Sequence, residues 1–291
     1  MAITTIDQAL QQGVEYLSAS SEYQTDTPRL DCEIVLLTVL NQCSPALRTK
    51  SWLLTWPEHP LNDTQFKQYQ SLLAQRAQGK PIAYISGEKD FWSFTLKVTS
   101  NTLIPRPETE LLVESALEKI PLNSSCKVLD LGTGSGAIAL AIASERPQAQ
   151  VTASDSSQQA LNIAIANAQA LNLSNVQFCQ SSWFSDIAIE KFDIIVSNPP
   201  YIAQGDPLLE ANVKKYEPLN ALFSEQQGLK DIIDITQNVV NYSQPGSWLM
   251  LEHGYTQNQF LQTLFKNRGL VNIETRQDLN HLPRITMGQY P

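Results

Sequence analysis

Lys127-Val128-Leu129-Asp130-Leu131-Gly132-Thr133-Gly134-Ser135-Gly136 decides the fold. A short apolar strand runs straight into three glycines in five residues, and an Ala/Ile-rich helix follows to Glu145. The glycines let the backbone turn sharply and approach a ligand with no side chain in the way. Downstream the pattern repeats: strand Val151–Ser154, helix Ser157–Leu171, strands Val176–Phe178 and Phe192–Val196, a helix over Leu229–Val240 and a strand at Trp248–Glu252. Strands alternating with helices imply right-handed crossovers and a parallel sheet covered on both faces, a doubly wound, Rossmann-like α/β fold. Gly132, Gly134 and Ala137 also fit a loose dinucleotide fingerprint, which alone is weak evidence against a plain strand–helix turn.

Asp155 ends the next strand, 19 residues beyond Gly136. A carboxylate there can accept hydrogen bonds from both ribose hydroxyls of an adenosine. The two elements together point to a nucleoside cofactor without separating a nicotinamide from S-adenosylmethionine. Asp130 tips the balance: a pyrophosphate is repelled beside it, whereas a cofactor with a cationic amino-acid tail is not. The deciding motif is Asn198-Pro199-Pro200-Tyr201, which follows a strand at the carboxyl edge, where such sheets bind ligands. Two prolines remove two N–H donors and leave carbonyls that only accept, Asn198 adds a side-chain carbonyl, and Tyr201 adds a flat face. That combination suits a planar group bearing NH2.

Residues 1–85 read as helical. Ile6, Leu10, Val14 and Leu17 fall at helical spacing; Ile34, Leu37 and Leu40 mark a second apolar face over Asp31–Leu40; Phe66, Tyr69, Leu72 and Leu73 stripe a third helix over Asp63–Gln78. A small bundle packs such segments. Gly79-Lys80-Pro81 ends the region, and residues 82–104 alternate with β-forming Phe91, Trp92, Phe94, Leu96 and Val98, as a hairpin bridging two domains does. The expected division is a helical bundle over 1–85, a β-hairpin linker over 86–104 and a catalytic domain over 105–291, with no internal repeat.

The 291 residues, 42% hydrophobic and 17% charged, allow two domains and exclude a disordered chain. No apolar run approaches the roughly 18–20 residues of a membrane helix, and Met1–Asp7 lacks the basic start and apolar block of a secretory signal. The net charge is −9, with 6 basic against 8 acidic residues in 1–85 and 14 against 21 in 86–291. Neither part carries the positive balance of a protein that tracks a phosphate backbone. Cys32, Cys43, Cys126 and Cys179 form no Cys-x-x-Cys pair and no metal-ligand spacing with the three histidines, and read as reduced core thiols of a cytoplasmic protein.

The Asn-Pro-Pro-Tyr motif resembles that of amino-methyltransferases acting on adenine N6, cytosine N4 or glutamine N5. With Ile104-Pro105-Arg106-Pro107-Glu108-Thr109-Glu110 and Leu251-Glu252-His253-Gly254-Tyr255, nearly the whole chain resembles the PrmC/HemK family, the glutamine N5-methyltransferases of peptide chain release factors. The resemblance implies S-adenosyl-L-methionine as cofactor, S-adenosyl-L-homocysteine as product, no metal, and the Gly-Gly-Gln glutamine of a class I release factor as substrate. It implies cofactor contacts at Gly132, Thr133, Gly134, Ser135, Gly136, Asp155, Trp183 and Asn198. It puts the glutamine at Asn198, Pro199, Pro200 and Tyr201, with Asn198 and Pro199 catalytic. One position departs: Ser182 precedes Trp183 where the family commonly has an acidic residue facing the adenine amino group, so either the cofactor is held less tightly or another residue substitutes. Trp183 reads equally as a core residue. Arg106 and Glu108 to Thr109 border the site mouth, or Arg106 and Glu108 form a solvated pair.

An amide nitrogen is a poor nucleophile because its lone pair is conjugated, with a rotation barrier of about 18–20 kcal/mol, and no strong base is evident beside Asn198. The expected mechanism has Asn198 Oδ1 and the Pro199 carbonyl accept both N–H bonds of the glutamine amide and aim its nitrogen at the methyl, while Tyr201 packs on the amide plane. Alternatives are an adenine N6-methyltransferase of DNA or RNA, disfavoured by the negative charge and by the lack of a base-flipping apparatus, and a non-catalytic cofactor-binding module. No direct nucleic-acid or membrane partner is expected, and the chain is expected to be a monomer.

Overall fold

The computed structural model describes residues 4–42, 47–207 and 209–291, so Cys43 and the first three residues of the expected N-terminal reading lie outside the described residues. The chain forms two compact units. One holds the residues up to Gly87 together with Glu210–Tyr216, and the other comprises Glu88–Leu209 and Glu217–Pro291. Among the described residues no helix is long and apolar enough to cross a membrane.

In the first unit, helices Ile6–Ser18, Pro28–Gln42 and Asp63–Ala77 pack with the shorter Lys50–Thr55 and Ile82–Ser86. Two helix starts are fixed by reciprocal caps, Thr5 with Gln8 and Asn62 with Gln65, each satisfying two otherwise orphaned N–H groups. The second helix buries Cys32, Val35, Leu36, Val39 and Leu40, while Ile34 and Leu37 stay partly exposed. The stripe expected through Ile34 and Leu37 is thus turned, because the helix is apolar on several sides and the packing partners choose the face. Residues 82–86, expected as strand, form a helical turn that Gly87 ends at φ +80°, a conformation that glycine adopts without penalty. The segment Glu210–Tyr216 returns to this unit, where Tyr216 Oη and Lys215 Nζ donate to the Gln78 carbonyl at 3.1 and 3.3 Å, just past the end of helix Asp63–Ala77.

At the centre of the bundle Asp31 and Arg76 are only 3% and 7% exposed and pair at 2.7 Å. Thr25 donates to the same carboxylate, and the Arg76 guanidinium lies 4.6 Å from the Tyr23 ring centroid.

The second unit opens with the hairpin β1 (Glu88–Phe91) and β2 (Phe94–Lys97), whose Phe91 and Leu96 are buried in that unit's own core. The strands β3 (Lys127–Leu131), β4 (Gln150–Asp155), β5 (Val176–Gln180), β6 (Phe192–Ser197), β7 (Ser243–Glu252), β8 (Val271–Gln277) and β9 (Pro283–Gln289) form one sheet of order β5-β4-β3-β6-β7-β9-β8. Strands β3 to β7 are parallel, and β9 and β8 add an antiparallel edge. Alternate strand residues face opposite layers. Val128, Ile194, Val196 and Met250 pack with helices Glu110–Lys119 and Ala137–Glu145. Leu129, Leu131, Ile195, Leu249 and Leu251 pack with helices Lys230–Asn238 and Asn258–Asn267.

Register then aligns the carboxyl ends. Leu131 stands opposite Ser154 on β4 and Ser197 on β6, and Ser197 opposite Leu251 on β7. The next residues, Asp155, Gly132, Asn198 and Glu252, therefore occupy one row across four strands.

Removing one member of a buried ion pair leaves the other charge uncompensated. Asp31→Ala is expected to destabilise the first unit by about 3–5 kcal/mol, read as a lower denaturant midpoint by far-ultraviolet circular dichroism.

Candidate active site

The cleft lies at the carboxyl edge of the second unit's sheet and is lined by Gly132 to Ser135, Asp155, Trp183, Asn198 and Pro200, together with Arg106, Thr109, Ser182 and Asp231. Gly132, Gly134 and Gly136 all have positive φ, at 74°, 58° and 89°. At Gly136 a Cβ would stand 2.9 Å from Leu140 Cδ1 and 3.3 Å from Ala164 Cβ, so this glycine also lets two helices close on the turn. Gly134 has nothing within 4 Å of a Cβ position, leaving open space over the loop.

Asp155 does more than its sequence position suggests. Its Oδ2 accepts from Gly134 N and its Oδ1 from Ser157 N, both at 2.9 Å, so the carboxylate holds the glycine loop to the next strand's turn. Burial raises its pKa, and the N–H groups of Ser157, Gly134 and Ser156 pull it back down. A carboxylate has about four acceptor sites, so these donors do not exhaust it and capacity remains for a ligand hydroxyl. Asp130 is wholly buried beneath the loop. Its Oδ2 accepts from Thr133 Oγ1 at 2.7 Å and Ala139 N at 3.2 Å, whereas Oδ1 has no partner among the described residues. Burial pushes this carboxyl up to about 7 against those two donors.

Trp183, at φ +51°, joins both readings made from the sequence. It packs against the sheet's second core layer, lines the cleft beside Gly132, and donates from Nε1 to Asp231 Oδ1 at 3.1 Å. Ser182 is exposed on the cleft wall, and Asp231, unmarked in the sequence, is an acidic side chain on the same wall.

Asn198 donates from Nδ2 to Thr109 Oγ1 at 3.2 Å, and its Oδ1 has no partner among the described residues. Pro200 lines the cleft with it, while Pro199 is buried and neither Pro199 nor Tyr201 is part of that wall. The Tyr201 hydroxyl donates to Glu252 Oε1 at 3.3 Å. The Tyr201 backbone lies so close to Gly228 that a Cβ there would fall 2.2 Å from the Tyr201 carbonyl oxygen. Glu252 is 1% exposed, and its Oε2 has no hydrogen-bond partner among the described residues. Burial pushes it up to about 7, against the hydroxyls of Thr109 and Tyr201, which favour the carboxylate. Arg106 pairs with the buried Glu217 at 2.6 Å, and Glu217 also accepts from Ile104 N at 3.2 Å. The alternative pair of Arg106 with Glu108 is thus replaced: Arg106 is turned to a carboxylate 111 residues away, and Glu108 does not line the cleft. Thr109, expected at the site mouth, does line the cleft. Asp231 on the cleft wall and Glu217 behind Arg106 carried no signal in the sequence, and Glu252 was marked only as part of the Leu251–Tyr255 motif.

Residues 8–87 match the PrmC N-terminal domain family and residues 107–214 the methyltransferase small domain family. The release factor glutamine methyltransferase of Vibrio cholerae is 45% identical over 287 residues, 98% of this chain and 97% of that protein. The Escherichia coli protein of the same name is 41% identical over 281 residues, 97% of each. Among solved structures, the 16S rRNA N2 G1207 methyltransferase of T. thermophilus matches with a TM-score of 0.50 at 18% identity, over 70% of this chain and 50% of that one. The ribosomal protein L11 methylase of Lactobacillus delbrueckii matches with a TM-score of 0.50 at 16% identity, over 67% and 86%. Those two likenesses establish the methyltransferase fold. The full-length matches establish more: the chain belongs to the release factor glutamine methyltransferase family.

Proposed function

We propose that the cleft binds S-adenosyl-L-methionine beside a primary carboxamide, the Gly-Gly-Gln glutamine of a class I release factor. The protein methylates that amide on N5 without a metal and releases S-adenosyl-L-homocysteine. The observation that carries this reading is the state of Asn198: its Nδ2 is spent on Thr109, and its Oδ1 is unclaimed on the cleft wall.

The residues fit the cofactor on their own terms. The open loop Gly132–Gly136 admits a close backbone approach, Asp155 has acceptor sites left for ribose hydroxyls, Trp183 and Asn198 flank the loop, and the unpartnered Asp130 Oδ1 below it suits a cationic amine. The cofactor supplies a methyl group on a positively charged sulfur. The chain's own residues handle the amide. Asn198 Oδ1 and the Pro199 carbonyl accept its two N–H bonds, and Pro200 and Tyr201 complete the pocket around it. Positive charge builds on the amide nitrogen as the N–C bond forms and the methyl–sulfur bond breaks, so both acceptors bind the transition state more tightly than the ground state, and the nitrogen then gives up one of its two protons to solvent. Holding the two reactants in line contributes on the order of 7–11 kcal/mol, which compensates for a site with no strong base. Residues 1–85 serve as the domain that recognises the release factor, residues 105–291 carry the transfer, and residues 86–104 connect them. The excess of acidic residues in 86–291 favours a protein over a nucleic-acid substrate.

Incubating the protein and S-adenosylmethionine with a class I release factor or with unmethylated duplex DNA, followed by mass mapping, tests the proposal. One added methyl on the Gly-Gly-Gln peptide and none on DNA is expected; methylated adenine with an untouched factor refutes it. Asn198→Ala is expected to lower kcat by on the order of 10²–10³-fold with a far smaller loss of cofactor affinity; equal losses in both would make Asn198 a cofactor ligand only. Asp155→Ala removes charge-assisted hydrogen bonds worth about 1.5–3 kcal/mol and is expected to weaken S-adenosylhomocysteine binding by calorimetry about 10–100-fold; unchanged affinity ends its ribose role.

A further inference from the structure

Trp183 does not hold itself in place. Its backbone stands at φ +51°, a region that bulky side chains avoid. Its ring reaches over the glycine loop, with Cζ3 3.4 Å from the position a Cβ on Gly132 would take. We propose that Asp231 is a positioning residue for the cofactor: by accepting the Trp183 indole N–H, it fixes that ring as the cleft wall beside the loop. The inference rests on the function proposed above and adds what sets the shape of the cofactor's site.

Two contacts pin Trp183, one at the backbone and one at the ring. The hydroxyl of the buried Ser181 donates to the Trp183 carbonyl oxygen at 2.9 Å and accepts from Asp186 N at 3.0 Å, which fixes the backbone. Nothing in that pair fixes the ring, whose second side-chain torsion is broad and roughly two-fold. The indole has a single donor, Nε1–H, and gives it to Asp231 Oδ1 at 3.1 Å. A hydrogen bond to a carboxylate is stronger than one to a neutral acceptor, so this contact selects one ring orientation. A ring free to turn would have to be ordered by the ligand on binding, which costs affinity.

Asp231 is itself held from the Asn-Pro-Pro-Tyr side. Its N–H donates to Ser224 Oγ at 3.1 Å, and Ser224 N donates to the carbonyl of Ile202, directly after the motif, at 3.0 Å. Between Ser224 and Asp231 the chain makes a left-handed turn, with Gln226, Gln227 and Gly228 at φ 52°, 61° and 85°. Left-handed residues other than glycine are costly and usually occur singly, and they persist only where the surroundings over-determine them. Here Gly228 abuts the Tyr201 carbonyl oxygen, 2.2 Å from where its Cβ would be, and Gln257 Nε2 donates to the carbonyls of Tyr201 and Gly228 at 3.0 and 3.4 Å. The segment Ser224–Asp231 thus joins the amide motif at one end to the cofactor wall at the other.

Asp231→Ala removes the acceptor, and Asp231→Asn keeps one without the charge. By calorimetry, Asp231→Ala is expected to weaken S-adenosylhomocysteine binding on the order of 10-fold, and Asp231→Asn to keep most of the affinity. In a Trp183→Phe background, which has no indole N–H, Asp231→Ala is expected to change nothing further, as for a residue that acts through another. A second readout needs no ligand: the Trp183 indole N–H signal, assigned in a 15N spectrum by its loss in Trp183→Phe, should exchange slowly with solvent in the wild type and Asp231→Asn and quickly in Asp231→Ala. Wild-type affinity in Asp231→Ala, equal losses in the Ala and Asn variants, a full further loss in the Trp183→Phe background, or an indole signal indifferent to Asp231→Ala each overturn the proposal. A wild-type protein that binds no S-adenosylhomocysteine overturns the proposed function instead, and the indole signal still decides the link between Trp183 and Asp231.

Discussion

Parallel pairing in register is the constraint on which the site depends. Asp155, Gly132, Asn198 and Glu252 come from four stretches of sequence, yet they stand in one row because Ser154, Leu131, Ser197 and Leu251 before them are paired partners across β4, β3, β6 and β7. Side chains alternate between faces with a period of two, so a slip of one residue would send every member of the row to the opposite layer. The alternation is held by burial on both sides. Val128, Ile194, Val196 and Met250 are committed to one layer of helices, and Leu129, Leu131, Ile195 and Leu251 to the other. The row thus inherits its alignment from the buried residues that precede it on each strand.

The row also concentrates buried acid. Asp130 just below it and Glu252 within it are both fully enclosed, and burial lifts both carboxyls to about 7. Each has one oxygen that accepts a hydrogen bond and one without a partner among the described residues. Leaving polar atoms unmatched inside a protein costs stability, and such atoms cluster where a ligand or a neighbouring hydroxyl completes the set.

The parallel sheet, the glycine turn, Asp155 and the Asn-Pro-Pro-Tyr loop were legible in the sequence because each depends on local pattern: short apolar runs, glycine spacing, and proline after a strand. The chain's final strands escaped for a physical reason. Strand β8 is an edge strand whose residues are mostly exposed or half-buried, and β9 begins with Pro283, so neither displays the continuous apolar run that announced β3 or β6. Tertiary choices were equally hidden. Nothing near Arg106 says that its partner is Glu217, and nothing near Asp155 says that it tethers Gly134. The turned face of helix Pro28–Gln42 belongs to the same class, since a helix apolar on several sides leaves the decision to its neighbours.

The central claim is that the free carbonyl of Asn198 and the Pro199 carbonyl jointly hold a substrate amide by its two N–H bonds. A crystal structure of the protein with S-adenosylhomocysteine and a Gly-Gly-Gln peptide tests it most directly. The account predicts the glutamine amide nitrogen at hydrogen-bond distance, about 2.7–3.2 Å, from both Asn198 Oδ1 and the Pro199 oxygen. A glutamine that presents its carbonyl to Asn198, or that rests away from it, contradicts the account.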